Sequence, residues 1–448
     1  MRIIHLTHQY LPETRGGVES YVHTLAQHQA SVGHHLRIVS GSFEPRDAVT
    51  TVAAEVDGIA VRRVHRADPY FDRWDRMDCP ETREAVVAEV ESFRPDVVHL
   101  HHWIRLAPDL VERLGEAGFP VVVTLHDLST TCPRAFRLRP GEGNCLRRVS
   151  VESCLDCVPR WPWSDDRALA PEIEHFVARG RHELLSAQLV ICASPALRDL
   201  VQSNLGVAEE RFRIAPLGYE PRFAGMDAEP VPDEAPFRFG YWGAITARKG
   251  VDLAIEALRS LNAGRRDGHR PVSLELFGGF DHPDTEADLR LRAEGLPVTF
   301  HGRFDYADLP RAGLSAAVFP SRCFETYGIV LDEALELKLP VIVPDLGALP
   351  DRAGDAGLIF SADDAGSLAR AMGALADDPS IRQRCRDAMV GRAGPDLGEH
   401  AAAIEAIYRD AGAMRPFRPS RRRDPAGEIR RVERERALFR RLLEREGP

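Results

Sequence analysis

The 448-residue sequence has no long hydrophobic run, and no stretch offers the roughly 18 unbroken apolar residues of a membrane-spanning helix. A signal peptide is also missing from the pattern, because the segment MRIIHLTHQYLPE reaches an acidic residue too early for one. These absences predict a protein that is neither secreted nor membrane-spanning. We therefore expect its eight cysteines to lie in a reducing cytoplasm.

Lysine is nearly absent as well. The 58 basic residues include only two lysines, Lys249 and Lys338, and the others are all arginine. A compact ammonium and a planar guanidinium are not interchangeable at a tight site, so each remaining lysine is a candidate ligand-binding residue. The net charge of -10 argues against a protein that coats nucleic acid, and we expect no nucleic-acid partner.

Short apolar runs alternate with amphipathic helical patterns along most of the chain. Runs such as Arg2–Thr7, Val121–Leu125 and Val341–Pro344 predict buried parallel strands. The alternation predicts the α/β class, with two doubly wound Rossmann-like domains and a C-terminal helical extension. The predicted divisions are a first domain at 1–220 with a Cys-rich insertion at about 130–163, a second domain at 221–396, a closing helix at 397–414 that packs back toward the N-terminal domain, and a tail at 415–448.

The tail carries an excess of positive charge. From Arg415 onward it contains twelve Arg and six acidic residues, a balance of +6, which leaves about -16 for the rest of the chain. Apolar positions such as Ile429 and Leu443 predict a basic amphipathic helix. Docking onto the acidic body of the same chain is favoured over binding to an anionic membrane, which would place the protein at the inner face of that membrane.

Four cysteines form a cluster with the spacing Cys132-x12-Cys145-x8-Cys154-x2-Cys157. Four thiolates that include one C-x-x-C pair can close a tetrahedral zinc site and order a loop that lacks a core of its own. The alternatives are reduced structural cysteines, a disulfide, or an iron–sulfur cluster in place of zinc. A metal held here would be structural.

Two glutamates flank a predicted helix start in the run Phe324-Glu325-Thr326-Tyr327-Gly328-Ile329-Val330-Leu331-Asp332-Glu333. Unpaired amides at a helix start suit a phosphate. Glu325 precedes the turn and Glu333 lies about two turns later, so each can bind a different part of one long polar ligand. On spacing alone, the simpler interpretation is that these are two surface glutamates on an ordinary helix.

The wider order of motifs resembles the retaining glycosyltransferases of family four, which have the two-domain GT-B fold with two Rossmann-like domains facing across a cleft. The resemblance covers about residues 1–412. It is to a subset of the family that has Cys-Pro-Arg and C-x-x-C after a His-Asp pair. It implies that Glu325 contacts hydroxyls of the donor sugar and that Glu333 contacts the nucleotide ribose. It also implies that the backbone between them approaches the sugar and the phosphates: Thr326, Tyr327, Gly328, Ile329 and Val330.

Further positions match the family in order. Gly16 and Gly17, after the first strand, occupy the place of its donor loop, where side chains would obstruct a diphosphate. His126 matches the active-site histidine beside the reacting sugar, and Arg303 lies in the loop that cups the nucleotide base. The neighbouring His99, His101 and His102 have ligand-like spacing, but neighbouring residues of a strand face opposite ways, which disfavours a metal site there.

One position departs from the family. In the second domain, Ala244 stands where the family has a phosphate-binding Arg. The Lys of the same motif is present as Lys249. Either Arg248 supplies the missing charge, or the diphosphate is bound by Lys249 and backbone amides. No Asp-x-Asp follows a strand end, so we expect no catalytic metal.

The resemblance implies a retaining enzyme that transfers a sugar from a nucleotide diphosphate donor to an acceptor hydroxyl, in the synthesis of a glycan, a glycolipid or a secondary metabolite. The first domain would bind the acceptor, whose identity the sequence leaves open, and the second the donor. Two alternatives remain at this point. One is a nucleotide-sugar epimerase of the same fold, and the other is a non-catalytic partner protein, which Ala244 and the tail suggest.

Overall fold

The computed structural model describes residues 1–44, 46–67, 74, 80–141, 143–160, 164–223, 226, 235–266, 269–389, 394–414 and 437. Residues 224–225 and 227–234, at the start of the predicted second domain, and nearly all of the basic tail at 415–448 lie outside these residues. Among the described helices, none is both long and apolar enough to cross a membrane.

The strands of the described residues, in chain order, are β1 (Arg2–Thr7), β2 (His35–Gly41), β3 (Thr50–Val56), β4 (Ile59–His65), β5 (Val97–Leu100), β6 (Val121–Leu125), β7 (Leu138–Arg139), β8 (Gly143–Asn144), β9 (Leu189–Cys192), β10 (Phe212–Ile214), β11 (Phe237–Trp242), β12 (Val272–Phe277), β13 (Val298–Gly302), β14 (Ala316–Val318), β15 (Val341–Pro344) and β16 (Gly357–Phe360). The α-helices are α1 (Gly17–Ser31), α2 (Pro80–Phe93), α3 (Leu110–Glu116), α4 (Val151–Cys154), α5 (Asp166–Ser186), α6 (Pro195–Leu205), α7 (Val251–Gly264), α8 (Pro283–Arg292), α9 (Asp308–Arg311), α10 (Val330–Glu336), α11 (Leu349–Ala353), α12 (Ala365–Asp377), α13 (Pro379–Met389) and α14 (Leu397–Ala413).

Internal contacts divide the chain into two compact units. The first unit comprises Met1–Ala135, Arg147–Ala215 and the chain from Leu397, and the second comprises Phe136–Leu146 and Pro216–Asp396. The sheet of the first unit has the strand order β10-β9-β6-β5-β1-β2-β4-β3, parallel except for β3, and that of the second has β13-β12-β11-β14-β15-β16, parallel throughout. The predicted architecture of two doubly wound α/β domains is confirmed.

Local sequence explains why these elements form where they do. The central strands are mostly apolar on both faces, as strands covered by helices on both sides must be, and β5, β6, β9 and β15 are buried along their whole length. Helix α6 shows complete end signals: the Ser194 hydroxyl accepts from the amide of Leu197, Pro195 is the first helical residue, and Gly206 adopts a left-handed φ of 62° at its end.

Helix α14 packs within the first unit. Ala401, Ile404, Ile407 and Tyr408 join a buried cluster with residues of α1, β1, β5, β6 and β9. This packing returns the C-terminal part of the described chain to the sheet on which it begins.

The domain division differs from the prediction at two places, one of which is residues 216–220, which belong to the second unit rather than the first. Residues 136–146, expected inside the first domain, belong to the second unit, where β7 and β8 form a two-stranded antiparallel hairpin. The Arg248 guanidinium lies 3.8 Å from the centre of the Phe136 ring. A Cβ placed on Gly143 would lie 2.2 Å from a carboxylate oxygen of Asp363. These close approaches explain why the segment, here called the 136–146 arm, belongs to the second unit.

Candidate active site

Lys249 and Glu325 form an ion pair in the second unit. Lys249 ends a short 3-10 turn, Ala247–Lys249, after β11. The next residue, Gly250, has a φ of 68°, and a Cβ there would lie 2.0 Å from the Pro320 carbonyl oxygen, so only glycine lets the turn approach the end of β14. The Lys249 ammonium donates to Glu325 Oε1 at 2.6 Å.

Both members of this pair are charged. Burial alone would raise the pKa of Glu325, but the Lys249 charge and hydrogen bonds from Lys249 and Ser321 hold it below its ordinary value. Burial would also lower the pKa of Lys249, but the Glu325 carboxylate raises it. The Ser321 hydroxyl donates to the same Glu325 oxygen at 2.8 Å, which orients the carboxylate.

Glu333 lies on α10 and is almost fully buried. Its Oε2 accepts from the Trp242 indole N–H at 2.7 Å, and its Oε1 lies 3.2 Å from Arg222 Nε. Burial raises the pKa of Glu333, and the contacts with Trp242 and Arg222 oppose that shift. A ribose that binds here would have to share a carboxylate whose oxygens both have partners.

The loop between the two glutamates is held by Arg352, which the sequence analysis missed. Arg352 donates to the carbonyl oxygens of Tyr327 at 3.2 Å and Gly328 at 2.8 Å, and also to Asp332 on α10. Gly328 has a φ of 84°. The Tyr327 side chain is buried, with its hydroxyl donating to the Leu217 carbonyl at 3.2 Å, so the part of Tyr327 that can face a ligand is its backbone.

The remaining second-unit positions are more exposed. Arg303 follows β13 directly and is exposed, and Ala244 is also exposed. Arg248 is partly buried, and its guanidinium lies over the Phe136 ring of the 136–146 arm. The sequence contains no short-range signal that would join residues 136 and 248.

In the first unit, the two glycines have different environments. A Cβ on Gly16 would lie 2.6 Å from Glu19 Oε2, whereas a Cβ on Gly17 would meet nothing within 4 Å. Gly16 therefore leaves room for Glu19, a buried residue whose Oε1 lies 3.4 Å from His8 Nε2. The open space at Gly17, where α1 begins, is compatible with the close approach of a ligand.

His126 follows β6 and is partly exposed. Its Nε2 lies 3.0 Å from Nδ1 of His101, and the Tyr21 ring packs edge-on at 4.9 Å between ring centres. Burial lowers the pKa of His126 to about 3, so its imidazole is neutral at pH 7.

His102 lies apart from His99 and His101. The His99 and His101 rings are 4.0 Å apart between centres, whereas His102 Nε2 is 3.1 Å from Asp127 Oδ2. Among the described residues, the group of three possible metal ligands that come within 4.8 Å of one another is His5, His99 and His101.

The cysteines are not assembled in this way. Cys132, Cys154 and Cys157 belong to the first unit and Cys145 to the second, and none of these four forms a disulfide. Among the described residues, the Sγ atoms of Cys132, Cys154 and Cys157 do not all lie within 4.8 Å of one another. The zinc site stays a prediction.

Two family models match the chain. Residues 15–223 match Glycosyltransferase Family 4, and residues 236–378 match Glycosyl transferases group 1. The chain belongs to the glycosyltransferases that these two models describe. This glycosyltransferase is 25% identical over 404 residues to the glycogen synthase of Mycobacterium tuberculosis, covering 86% of this chain and 88% of the relative.

Solved structures share the GT-B fold of this glycosyltransferase. The sucrose-phosphate synthase of Thermosynechococcus elongatus superimposes with a TM-score of 0.61 at 19% identity, covering 91% of this chain and 98% of that one. HepE of Anabaena, solved in complex with UDP and glucose, gives a TM-score of 0.57 at 17% identity over 91% of this chain and 99% of that one.

Proposed function

We propose that this glycosyltransferase moves a sugar from a nucleoside diphosphate donor to an acceptor hydroxyl with retention at the anomeric carbon. The Lys249–Glu325 ion pair carries the proposal. It sets a positive charge and a hydrogen-bond acceptor at adjacent points, as a ligand with an anionic diphosphate and a hydroxyl-rich sugar requires. The Anabaena relative, solved with UDP and glucose, supports this class of donor.

In this proposal each second-unit group contacts one part of the donor. Glu325 accepts hydrogen bonds from sugar hydroxyls, and Glu333 binds the ribose in exchange for part of its contact with Arg222. The backbone from Thr326 to Val330, held from behind by Arg352, approaches the sugar and the phosphates. Arg303, exposed at the end of β13, lies at the edge of the base-binding loop.

The diphosphate is the leaving group. Lys249, with Arg248, neutralises its charge, so the proposed reaction needs no catalytic metal. The bond from the anomeric carbon to the diphosphate oxygen breaks, and the acceptor oxygen forms its bond on the same face of the sugar. The proton of the acceptor hydroxyl passes to the departing diphosphate, which balances the reaction.

The proposed roles in the first unit concern the sugar and the acceptor. His126 lies beside the reacting sugar, and the open side of Gly17 faces the donor phosphates. Because His126 is neutral at pH 7, it acts as a hydrogen-bonding group for hydroxyls rather than as a positive charge for phosphate.

A panel of UDP-, ADP-, GDP- and TDP-sugars tests the proposal. With the full chain, one nucleotide sugar should release its nucleotide slowly in water, and faster when hydroxyl acceptors are added. The anomeric configuration of the product, read by NMR, tests retention. Epimerised donor without nucleotide release would overturn the proposal in favour of an epimerase. Absence of both turnover and nucleotide binding across the panel would identify a non-catalytic relative.

A further inference from the structure

A line of hydrogen-bonded side chains leads through the first unit from Gln29 to His126. His5 Nε2 is 2.9 Å from the amide oxygen of Gln29, and His5 Nδ1 is 3.0 Å from His101 Nε2. His101 Nδ1 is in turn 3.0 Å from His126 Nε2. Gln29, His5 and His101 are buried, and His126 is the partly exposed end of the line.

The chemistry of the first member gives this line a direction. A neutral imidazole has one N–H donor and one acceptor nitrogen, whereas an amide oxygen only accepts. His5 must therefore donate from Nε2 and accept at Nδ1. His101 then donates from Nε2 and accepts at Nδ1, and His126 donates from Nε2. The lone pair of His126 is left on Nδ1.

This direction requires neutral imidazole rings, and burial keeps the rings neutral. Burial lowers the pKa of His5 to about 4, with the hydrogen bond to Gln29 opposing it, and lowers that of His101 well below its ordinary value. A proton added anywhere along the line would create a buried charge, which the apolar surroundings disfavour.

Helix α14 supports the orientation of Gln29. The Gln29 amide nitrogen donates to the Tyr408 hydroxyl at 3.5 Å, which leaves the amide oxygen facing His5. The Tyr408 hydroxyl also lies 2.6 Å from His99 Nδ1, and His99 Nε2 lies 2.6 Å from the Thr124 hydroxyl. His99 is thus a branch of the network outside the line that reaches His126.

A metal ion is the other use that the same imidazoles could have. His5, His99 and His101 come within 4.8 Å of one another, but all six of their ring nitrogens already have hydrogen-bond partners at 2.6–3.0 Å. An ion would have to break several of these contacts, so the observed geometry favours the hydrogen-bonded line.

We propose that Gln29, His5 and His101 are positioning residues that hold His126 as the Nε2–H tautomer. The importance of this for turnover rests on the proposed role of His126 beside the sugar. With its lone pair on Nδ1, His126 accepts a hydrogen bond from a sugar hydroxyl, whereas the other tautomer would present a donor instead.

Nitrogen NMR of the full chain labelled with 15N-histidine tests the tautomer directly. His126→Asn identifies the two His126 signals by their loss. The wild type should show a protonated Nε2 and an unprotonated Nδ1. Both His101→Phe, which cuts the line, and Gln29→Met, which removes its polar origin, should give a mixture of tautomers. Thr124→Val, which disturbs only the His99 branch, should leave the His126 signals unchanged.

The matched kinetic measurement uses the same variants. Only the Nε2–H fraction of His126 can accept from the sugar hydroxyl, so His101→Phe should lower kcat by the factor by which NMR finds that fraction reduced, without changing donor KM. Thr124→Val should change neither. An unprotonated Nε2 in the wild type, unchanged His126 signals in His101→Phe, or stoichiometric zinc bound at these histidines would overturn the proposal. Full turnover of His126→Asn would instead contradict the proposed role of His126 and leave the NMR result standing.

Discussion

The two units use opposite electrostatic means to organise their candidate site residues. In the first unit, neutral imidazoles, an amide and a phenol are linked by hydrogen bonds in a buried network. In the second, the side chains are paired as opposite charges, Lys249 with Glu325 and Arg352 with Asp332. A neutral network suits hydroxyl groups, and a charged one suits an anionic diphosphate.

The contrast also predicts that protonation affects the stability of the two units differently. An imidazole network is stable only while its members stay neutral, because burial disfavours the charge of a protonated imidazole. A charged pair needs both partners ionised, and the mutual pKa shifts of Lys249 and Glu325 keep that pair so. The two units should therefore respond differently when the pH falls.

The largest expected effect is acid destabilisation of the first unit. Burial lowers the pKa of five histidines there: His5, His8, His99, His101 and His126. The unfolded chain gains protons at these residues as the pH falls through about 6.5, whereas the folded unit does not. Each should therefore remove about 2 kcal/mol from the free energy of unfolding between pH 7 and pH 5.

Glu183 acts in the opposite direction in the same unit. Burial raises its pKa to about 8, so the folded unit holds this proton across a range where the unfolded chain loses it. Acidification from pH 7 to pH 5 therefore adds stability through Glu183, by about 2–3 kcal/mol. Five histidines outweigh one glutamate, and the net effect remains a loss.

Hydrogen exchange measured on individual peptides, and corrected for the pH dependence of the intrinsic rate, reports the protection of each unit separately. Between pH 7 and pH 5, protection should fall in β1 and β5 before it falls in β11 and β14. The Lys249–Glu325 pair serves as the internal reference, because the lowered pKa of Glu325 keeps that carboxylate ionised across this range. Equal loss of protection in both units would contradict the prediction.

The next largest effect concerns turnover in the second unit. Glu325→Ala removes the group proposed to accept from the donor sugar, at a cost of about 1.5–3 kcal/mol per charge-assisted contact. Turnover should fall by roughly 10- to 100-fold, with a smaller change in nucleotide affinity.

Glu336→Ala is the matched control for Glu325→Ala. Glu336 also accepts three hydrogen bonds, from the Tyr219 hydroxyl and two backbone amides, and so represents the structural loss of a carboxylate alone. It should lower thermal stability more than turnover. Unchanged turnover in Glu325→Ala would remove Glu325 from the proposed site.

A third effect tests the positive charge that is proposed to bind the donor diphosphate. Lys249→Ala should weaken binding of the nucleoside diphosphate by about 1.5–3 kcal/mol, since it removes a charge-assisted contact. The other lysine of the chain, Lys338, is exposed just after α10 and provides the control as Lys338→Gln. Calorimetry should detect the loss for Lys249→Ala alone. Equal weakening by both variants would mean that bulk charge, rather than position, governs binding.

The second unit could be predicted from sequence further than the first. Its candidate groups lie in motifs of fixed spacing, and its buried strands are apolar runs that are visible in the sequence. Arg352 was missed because it acts on the Tyr327 and Gly328 carbonyls, which place no demand on its neighbours in sequence. The line to His126 was missed because it joins distant parts of the chain, as in the contact of His5 with His101 across 96 positions.

Two structural elements escaped prediction for a related reason. The hairpin of β3 and β4 lies at the edge of its sheet, and β3 is mostly exposed, so its residues do not form an apolar run. The sequence of the 136–146 arm shows no periodic pattern of apolar residues, because its strands are only two residues long and its contacts reach Arg248 and Asp363.

The smallest expected effect concerns the contact between Phe136 and Arg248. The guanidinium lies 3.8 Å from the ring centre, and Phe136 is 41% exposed, a setting in which a cation–π contact is worth about 0.5–1 kcal/mol. If Arg248 replaces the charge missing at Ala244, Phe136→Leu should weaken binding of a nucleoside diphosphate about two- to fivefold by releasing Arg248.

The first unit offers a matched control, because Arg105 lies 3.6 Å over Phe43, which is 43% exposed. Phe43→Leu removes an equivalent contact and should leave nucleotide affinity unchanged. Arg248→Ala should have a larger effect than Phe136→Leu, and Ala244→Arg should be tolerated or tighten binding. Full affinity in Arg248→Ala would show that Arg248 takes no part in binding and that Lys249 and the backbone amides bind the diphosphate without it. The arm would then be a packing element of the second unit, and its cation–π contact a matter of stability alone.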